Sequence, residues 1–517
     1  MAHAWTKAKA SKRIATRLDE VKSVTIKEYV RDTNLNGLAA NVAYRVDGVH
    51  LYVDILNVDE MLATTSDEGV TCHRRTLRFL NLHFRAVQRI LADVDAIEVD
   101  FHNERLHAVF VKPYADAVER AHRAVATAQL IIDVLRETGE SGDEAIPSAK
   151  VRVGVDTGLA LAVSNGRRGH REPLFLGQPA NRAAKLAAGG TKTGIYLTND
   201  TRVVIGLDKV AVENESALAE EDVVASQEAA DLDVSTNEIV EAWRADLEVN
   251  PIGRFEFSGH TPPFSALDLD ALSPANSRRQ EAVSIYADLD GFTDFVSAHI
   301  DDDEEAKDVV RVLHVLRSEL DAALSSDFGG RKVRFVGDCV HGLLSEGTAQ
   351  TTDAAETTST ATLAAGALRS GFELALESLN EKSYSTGDLG LAIGFEYGPI
   401  AVTRLGMKGA MIRCAVGRSV LSSESEQARC GGTDTAIGAT AYANATSAVR
   451  EVFGKERTRS RLTYETAVDE LADADDKPAK DSRTLARAGG LLRPATVAPA
   501  LAFPPVRAAP TKPRGFA

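Results

Sequence analysis

The sequence predicts an α/β sandwich built twice in tandem, and three observations predict it. Strand-like apolar segments alternate with helix-like ones along most of the chain. Two segments that end in an acid, Leu51-Tyr52-Val53-Asp54 and Ile285-Tyr286-Ala287-Asp288, are each followed fifty residues later by another acid in an apolar frame. These are Glu104 and Asp338, so the offset between copies is 234 at both positions (288 − 54 and 338 − 104). Val151-Arg-Val-Gly154-Val-Asp-Thr-Gly158 then matches Leu391-Ala-Ile-Gly394-Phe-Glu-Tyr-Gly398 at an offset of 240, as Gly177 matches Gly417. Regular offsets over four anchors mark an internal repeat.

Each element has its own signal. Residues 1–44 form an N-terminal arm, basic at its start and without the apolar core of a signal peptide. Copy one, 45–212, opens with the Asp54 strand. Leu77, Leu80, Phe84, Val87 and Leu91 then recur at helical spacing and predict a helix over His73–Asp95. A hairpin follows, with arms near Ala96–His102 and Leu106–Val111, and a second helix spans about Ala115–Thr138. Val151–Val163 reads as a long strand whose glycines permit close backbone approach. Residues 213–278 form an acidic linker; Glu213–Glu248 alone carries twelve acids against one base, Arg244, and reads as a solvated spacer. Copy two, 279–447, repeats the order of copy one. The six extra residues implied by the change of offset are assigned to a Thr/Ser/Ala-rich loop over Ser345–Thr362. Residues 448–517 form a C-terminal extension, disordered beyond about Asp476, where Ala, Pro and Arg accumulate.

Composition narrows the function classes. The 517 residues carry 59 Lys+Arg against 75 Asp+Glu, a net charge of −16, which argues against general nucleic-acid or anionic-membrane binding. No apolar run reaches the roughly 18 residues of a membrane span. Cys72, Cys339, Cys414 and Cys430 have neither metal-ligand spacing nor the number for a disulfide framework, so a reduced, cytoplasmic protein is expected.

The chemistry sits at the anchors. Asp288 ends a strand and Asp338 occupies a hairpin turn, so neighbouring strands bring both carboxylates to one sheet edge. Two hard carboxylates with open coordination suit Mg²⁺ or Mn²⁺ shared with phosphate oxygens. Leu289-Asp290-Gly291-Phe292-Thr293 follows at once, a turn into a helix that offers backbone N–H groups to phosphates. The Asp301-Asp-Asp-Glu-Glu305 run reads as a helix N-terminus, where the dipole favours acids. His102 and His107 read as structural, and Cys339 as packing. Glu104 is either a metal position or a hairpin cap, and Arg167, Arg168 and Arg171 either meet phosphates or form a solvated basic loop.

Together these residues resemble the class III nucleotide cyclase catalytic domain. The resemblance rests on Tyr286-Ala-Asp288-Leu-Asp-Gly291-Phe-Thr293, Phe335-Val-Gly337-Asp338 and Ile393-Gly394-Phe-Glu-Tyr-Gly398, and in copy one on Val153–Gly158 and Leu176-Gly177-Gln-Pro-Ala-Asn181-Arg-Ala-Ala-Lys185. It covers about 45–205 and 280–440. It implies a ferredoxin-like α+β fold and sites formed between two domains, one supplying metal aspartates and the other an Asn and an Arg. Residue by residue, Asp288 and Asp338 carry over as metal positions, Asn181 as the Asn, and Lys185 stands at the Arg position. The opposite site has Asp54 and Glu104, but Leu421 and Ser425 stand at its Asn and Arg positions, so it is degenerate. The resemblance implies an intramolecular pseudo-dimer, compatible with a monomer, with one competent site. Two divalent ions would assist attack of a ribose 3′-oxygen on the α-phosphate, with backbone groups at Leu289, Gly291, Phe292 and Thr293 holding phosphates.

Base choice in the family depends on the residue four before the second metal Asp and the one seven before the Asn, here Arg334 and Leu174. Neither purine pairing is present. A guanidinium that only donates suits the carbonyls of a pyrimidine, uracil above cytosine. His73–Leu80, Val99–Ala108 and Gly166–Gly177 likewise resemble the pyrimidine cyclases of bacterial Pycsar anti-phage defence. That implies a pyrimidine nucleoside triphosphate substrate, cyclic UMP as product, and a separate cyclic-nucleotide-responsive effector. A cytidylate, adenylate or guanylate cyclase, and a catalytically dead nucleotide-binding pseudo-cyclase, are the alternatives.

Overall fold

A computed structural model describes residues 3–31, 33–138, 146–164 and 173–488. The basic loop with Arg167, Arg168 and Arg171, and the chain beyond 488, lie outside them. The N-terminal arm contributes α1 (Lys7–Glu20) and β1 (Thr25–Glu28). Copy one then runs β2 (Val42–Ile55), α2 (Val58–Leu62), α3 (Val70–Asp93), β3 (Ile97–His102), β4 (Arg105–Phe110), α4 (Ala117–Glu137), β5 (Val151–Ser164), β6 (Pro173–Leu176), α5 (Gln178–Ala188), β7 (Gly194–Leu197) and α6 (Asn199–Val204). The linker holds α7 (Glu220–Ala230), α8 (Thr236–Val249) and β8 (Phe257–Ser258). Copy two runs β9 (Ser277–Asp290), α9 (Phe292–His299), α10 (Asp303–Ala322), β10 (Arg331–Val336), β11 (Cys339–Leu344), α11 (Ala354–Asn380), β12 (Gly390–Leu405), β13 (Ile412–Val416), α12 (Arg418–Ala428), β14 (Asp434–Ile437) and α13 (Ala439–Asn444). The C-terminal extension adds α14 (Ser447–Phe453), β15 (Thr458–Ser460), α15 (Tyr464–Asp473) and α16 (Lys477–Ala488).

Both sheets share one strand order, β3-β4-β2-β5 in copy one and β10-β11-β9-β12 in copy two. These neighbours pair antiparallel, and with α3 and α4, or α10 and α11, as crossovers the arrangement is ferredoxin-like. The five apolar residues that predict the first helix, Leu77 to Leu91, are all buried in α3. The repeat extends to detail: β3 and β10 each bulge at the same place, between Glu98 and Asp100 and between Lys332 and Arg334.

The anchor glycines serve a close approach. A Cβ on Gly154 would stand 2.1 Å from the Ala183 carbonyl oxygen, and one on Gly394 would stand 2.1 Å from the Gln427 nitrogen. Only glycine lets α5 lie this tightly on β5, and α12 on β12.

The two halves complete each other. Leu161, Leu174 and Leu176 of copy one belong to the core of copy two, and their counterparts Ala401, Cys414 and Val416 belong to the core of copy one. Each counterpart is 240 residues on, so the exchange is reciprocal.

Three sequence expectations change. The acidic linker is not a solvated spacer: Ile239, Val240 and Trp243 bury into the copy-one core, and the Trp243 indole donates to the Leu82 carbonyl at 3.1 Å. The loop assigned to Ser345–Thr362 ends at Asp353, whose side chain caps α11. Thr357, Thr358, Thr360 and Thr362 are buried in that helix, where two of the hydroxyls find internal acceptors, Thr358 to Ala354 O and Thr362 to Thr358 O. The chain continues past Asp476 as helix as far as Ala488. That carboxylate accepts from Ser359 (2.6 Å) and Thr446 (3.1 Å), and α16 packs on α15 and α11. The arm joins the same half: Trp5, Ala10 and Ile14 lie in the copy-two core, and Arg13 bridges Glu319 and Asp327. The acidic run does start a helix, with Asp302 as N-cap of α10. Among the described residues no helix is long and apolar enough to cross a membrane.

Candidate active site

Asp288 lies near the end of β9, and Asp338 lies in the turn between β10 and β11. The ladder pairs Val340 with Ala287, which brings the two carboxylates to one end of the sheet. Both are buried. The thiol of the buried Cys339 is pushed well above its ordinary value, first by burial and then by the charges of Asp288 and Asp338. This agrees with a packing role for Cys339. The Gln427 amide donates to Asp288 Oδ2 at 3.3 Å.

The chain then turns through Gly291, held at φ +80 in the left-handed region, and enters α9. Leu289 and Phe292 point into the core, which leaves the backbone of the turn and the Thr293 hydroxyl to meet a ligand. Thr293 Oγ1 accepts a 3.0 Å hydrogen bond from Asn181 Nδ2. That bond crosses between the copies and sets the first turn of α5 against the turn that follows Asp288. Lys185 stands one helical turn beyond Asn181, on the same face and exposed. Asn181 of one half and Thr293, next to the Asp288 strand end, of the other thus meet at one interface.

Buried oxygen donors of this kind fit Mg²⁺ or Mn²⁺. Among the described residues no three His, Cys, Asp or Glu side chains are arranged as a closed metal cage. An ion held by two carboxylates keeps positions open for substrate phosphates.

The other site is different. Asp54 and Glu104 occupy the corresponding places, but the residue beside them is Arg105, where copy two has Cys339. The Arg105 guanidinium donates to Glu424 at 2.6 Å and to Glu104 at 3.3 Å, and stands 4.0 Å from Asp54. Burial pushes Glu104 up to about 8, against the pull of Arg105. At the place of Gly291 stands Asn57, whose side chain donates to the Ser148 carbonyl (3.0 Å) and accepts from the Lys150 N–H (2.9 Å). The helix after it, α2, has only 5 residues.

Arg334 reaches across to copy one. One N–H of each terminal nitrogen donates there, to the Asp100 carboxylate and to the Phe101 carbonyl, so part of its donor set is engaged within the protein. Cys414, the counterpart of Leu174, is pushed up to about 12 by burial, with Arg334 pulling it down and Glu104 pushing it up. Leu174 is buried in the copy-two core. Sequence reasoning missed Asp100, although it stands 234 residues before Arg334, at the equivalent position. It also missed Arg105 and Glu424, which only the fold brings together. His107 is interior, stacked on Tyr52 at 4.1 Å, as His341 is on Tyr286 at 4.3 Å.

Comparison with known proteins agrees with this architecture. Residues 43–224 match the adenylate and guanylate cyclase catalytic domain. The chain is 56% identical over 493 residues, 95% of both chains, to a uridylate cyclase of Pseudomonas aeruginosa. It is 39% identical over 430 residues, 80% of this chain and 81% of the other, to a uridylate cyclase of a Rhizobium species. A crystal structure of a class III adenylyl cyclase-like ATP-binding protein from Pseudomonas aeruginosa superposes with a TM-score of 0.89 at 56% identity, covering 91% of this chain and 100% of that one. With the doubled ferredoxin-like fold and the shared interface site, these likenesses establish that the chain belongs to the class III nucleotide cyclases, among the uridylate cyclases.

Proposed function

We propose that the chain converts UTP to 3′,5′-cyclic UMP and diphosphate at the single site built from Asp288, Asp338, Asn181 and Lys185. The observation that carries this reading is the Asn181–Thr293 hydrogen bond, because it joins the Asn of one copy to the metal-side turn of the other. Two relatives that are uridylate cyclases support UTP as substrate.

Asp288 and Asp338 would hold the divalent ions, Mg²⁺ or Mn²⁺. When bound, these supply positive charge against the triphosphate and favour ionisation of the ribose 3′-hydroxyl. The turn at Leu289–Thr293 binds the β- and γ-phosphates through its backbone N–H groups. Asn181 orients the ribose so that the 3′-oxygen lies in line with the α-phosphorus. Lys185 offsets the charge that grows on the α-phosphate as the bond to diphosphate breaks, as a point charge without the fork of an arginine. The cyclic nucleotide then serves as a second messenger in the cytoplasm, read by a separate effector in anti-phage defence.

Incubation of the purified chain with each of the four NTPs and Mn²⁺ tests the reading. Cyclic UMP from UTP, lost in Asp288→Ala and Asp338→Ala, is the expected result. A second reading, adenylate cyclase, is favoured by the ATP-binding character of the superposed protein. Cyclic AMP as the sole product would establish it and sink the first.

A further inference from the structure

We propose that Arg105 is a resident cation that stands in for divalent ions at the Asp54/Glu104 site, so that this half of the interface assembles without metal. The inference goes beyond the composite site and rests on the duplication. Asp54 and Glu104 repeat Asp288 and Asp338 at an offset of 234, and by that symmetry they should bind the same ions. The residue between them decides otherwise. In copy two it is Cys339, small and uncharged. In copy one it is Arg105, on the strand position paired directly with Asp54.

The guanidinium is buried, is always protonated, and meets three carboxylates. Two come from copy one. The third, Glu424, comes from α12 of copy two, at 2.6 Å. Glu424 is fixed from its other side by Asn103, which also reaches the Tyr286 hydroxyl at 3.3 Å. A metal ion entering here would have to displace a guanidinium that already pairs with Glu424 and Glu104 and stands beside Asp54. Removing Arg105 would in turn leave buried negative charge unpaired. The geometry therefore selects one resident charge and excludes a second.

An independent feature agrees. A metal site for a nucleotide also needs its phosphate turn, and in copy one that turn is closed. The Asn57 side chain is bonded to the Ser148 and Lys150 backbone where copy two has the open Gly291 turn. Metal binding and phosphate binding are thus blocked by different residues of the same site.

Mn²⁺ titration of the full chain, followed by electron paramagnetic resonance without nucleotide, tests the proposal. Asp54→Asn in the otherwise unaltered chain is expected to leave Mn²⁺ stoichiometry and affinity unchanged within about twofold, whatever the status of the composite site. In an Asp288→Asn/Asp338→Asn background, adding Arg105→Cys is expected to create a saturable Mn²⁺ site that Asp54→Asn then removes. Should Arg105→Cys not fold, Arg105→Gln serves in the same comparison, and the Asp54→Asn arm stands without either. Loss of bound Mn²⁺ in the single Asp54→Asn variant overturns the proposal. So does a folded Arg105 variant, with an unchanged circular dichroism spectrum, that gains no Mn²⁺. Failure of the composite reading shows elsewhere, as Mn²⁺ binding that ignores Asp288→Asn/Asp338→Asn.

Discussion

Asp100 and Arg334 occupy equivalent positions in the two copies, 234 residues apart, and form an ion pair with each other across the interface. Each is delivered by the same bulge in the same strand of its sheet. Two identical copies meeting this way would oppose two acids or two guanidiniums. The opposite signs therefore specify pairing of unlike halves and penalise pairing of like ones.

Charge reversal tests this relationship. Asp100→Arg places a second cation against a buried guanidinium. Breaking such a pair costs about 3–5 kcal/mol. The thermal transition should fall by several degrees in Asp100→Arg and in Arg334→Asp, and recover in part when both are combined. Equal losses that add in the double variant would show that the pair carries no specificity.

The composite site predicts asymmetric kinetics. Asn181→Ala and Lys185→Ala each remove one polar contact made as charge develops, worth about 10²–10³ in kcat. Lys185→Arg keeps the charge and is expected to retain most of the rate. Ser425, exposed at the position corresponding to Lys185, should tolerate Ala with kcat unchanged within about twofold. Thr293→Val removes the acceptor that holds Asn181, so it should lower kcat less than Asn181→Ala does. Steady-state rates with UTP and Mn²⁺ check all of these.

The parts of the fold legible in the sequence are those written in local spacing. Acid-ended strands, anchor glycines and the Leu77–Leu91 stripe are each set by backbone period or by a steric need at one position. The rest depends on partners far away in the chain. Arg105 reads as an ordinary strand residue until Glu424, 319 positions on, is placed beside it. The threonines of 357–362 favour a loop on intrinsic propensity, yet they lie in a buried helix, where the Thr358 and Thr362 hydroxyls reach helix carbonyls and Asp476 takes Ser359. The acids around Trp243 mask three apolar residues that decide where the linker goes. Arg334 reads as a base contact from its own sequence neighbours, whereas its partner is the residue that repeats it.

The N-terminal arm makes a separate prediction about stability. Arg13 holds Glu319 through two bonds, at 2.9 and 2.6 Å, and reaches Asp327 at 3.1 Å. Both carboxyls are buried, and burial pushes both above their ordinary values despite the guanidinium. Arg13→Ala leaves them without their cation, at a cost of about 3 kcal/mol. Thermal unfolding of the chain should show a lower midpoint, because α1 packs on α10 and α11 in a core that both copies share. Arg13→Lys should recover only part, since an ammonium cannot repeat the two-bond fork to Glu319.

Acid sensitivity follows from buried histidines. His50, His83 and His341 are pushed down to about 3 by burial, and His107 also lies well below its ordinary value, through burial and then His50. Between about pH 6.5 and 3 the unfolded chain binds protons at these rings and the folded chain does not. Their contribution is therefore fully present above pH 6.5 and is lost as pH falls, each ring by up to about 1.4 kcal/mol per pH unit within that window. His83 isolates the effect, because it lies away from the interface and its Nδ1 is bonded to the Thr138 hydroxyl at 2.7 Å. His83→Gln can keep that bond and cannot take up the proton. The variant should be somewhat less stable at pH 8, through imperfect packing, and should lose stability less steeply from pH 6.5 to 4.5. A slope against pH identical to that of the unaltered chain, measured by thermal melts across this range, would show that His83 does not set the acid limit.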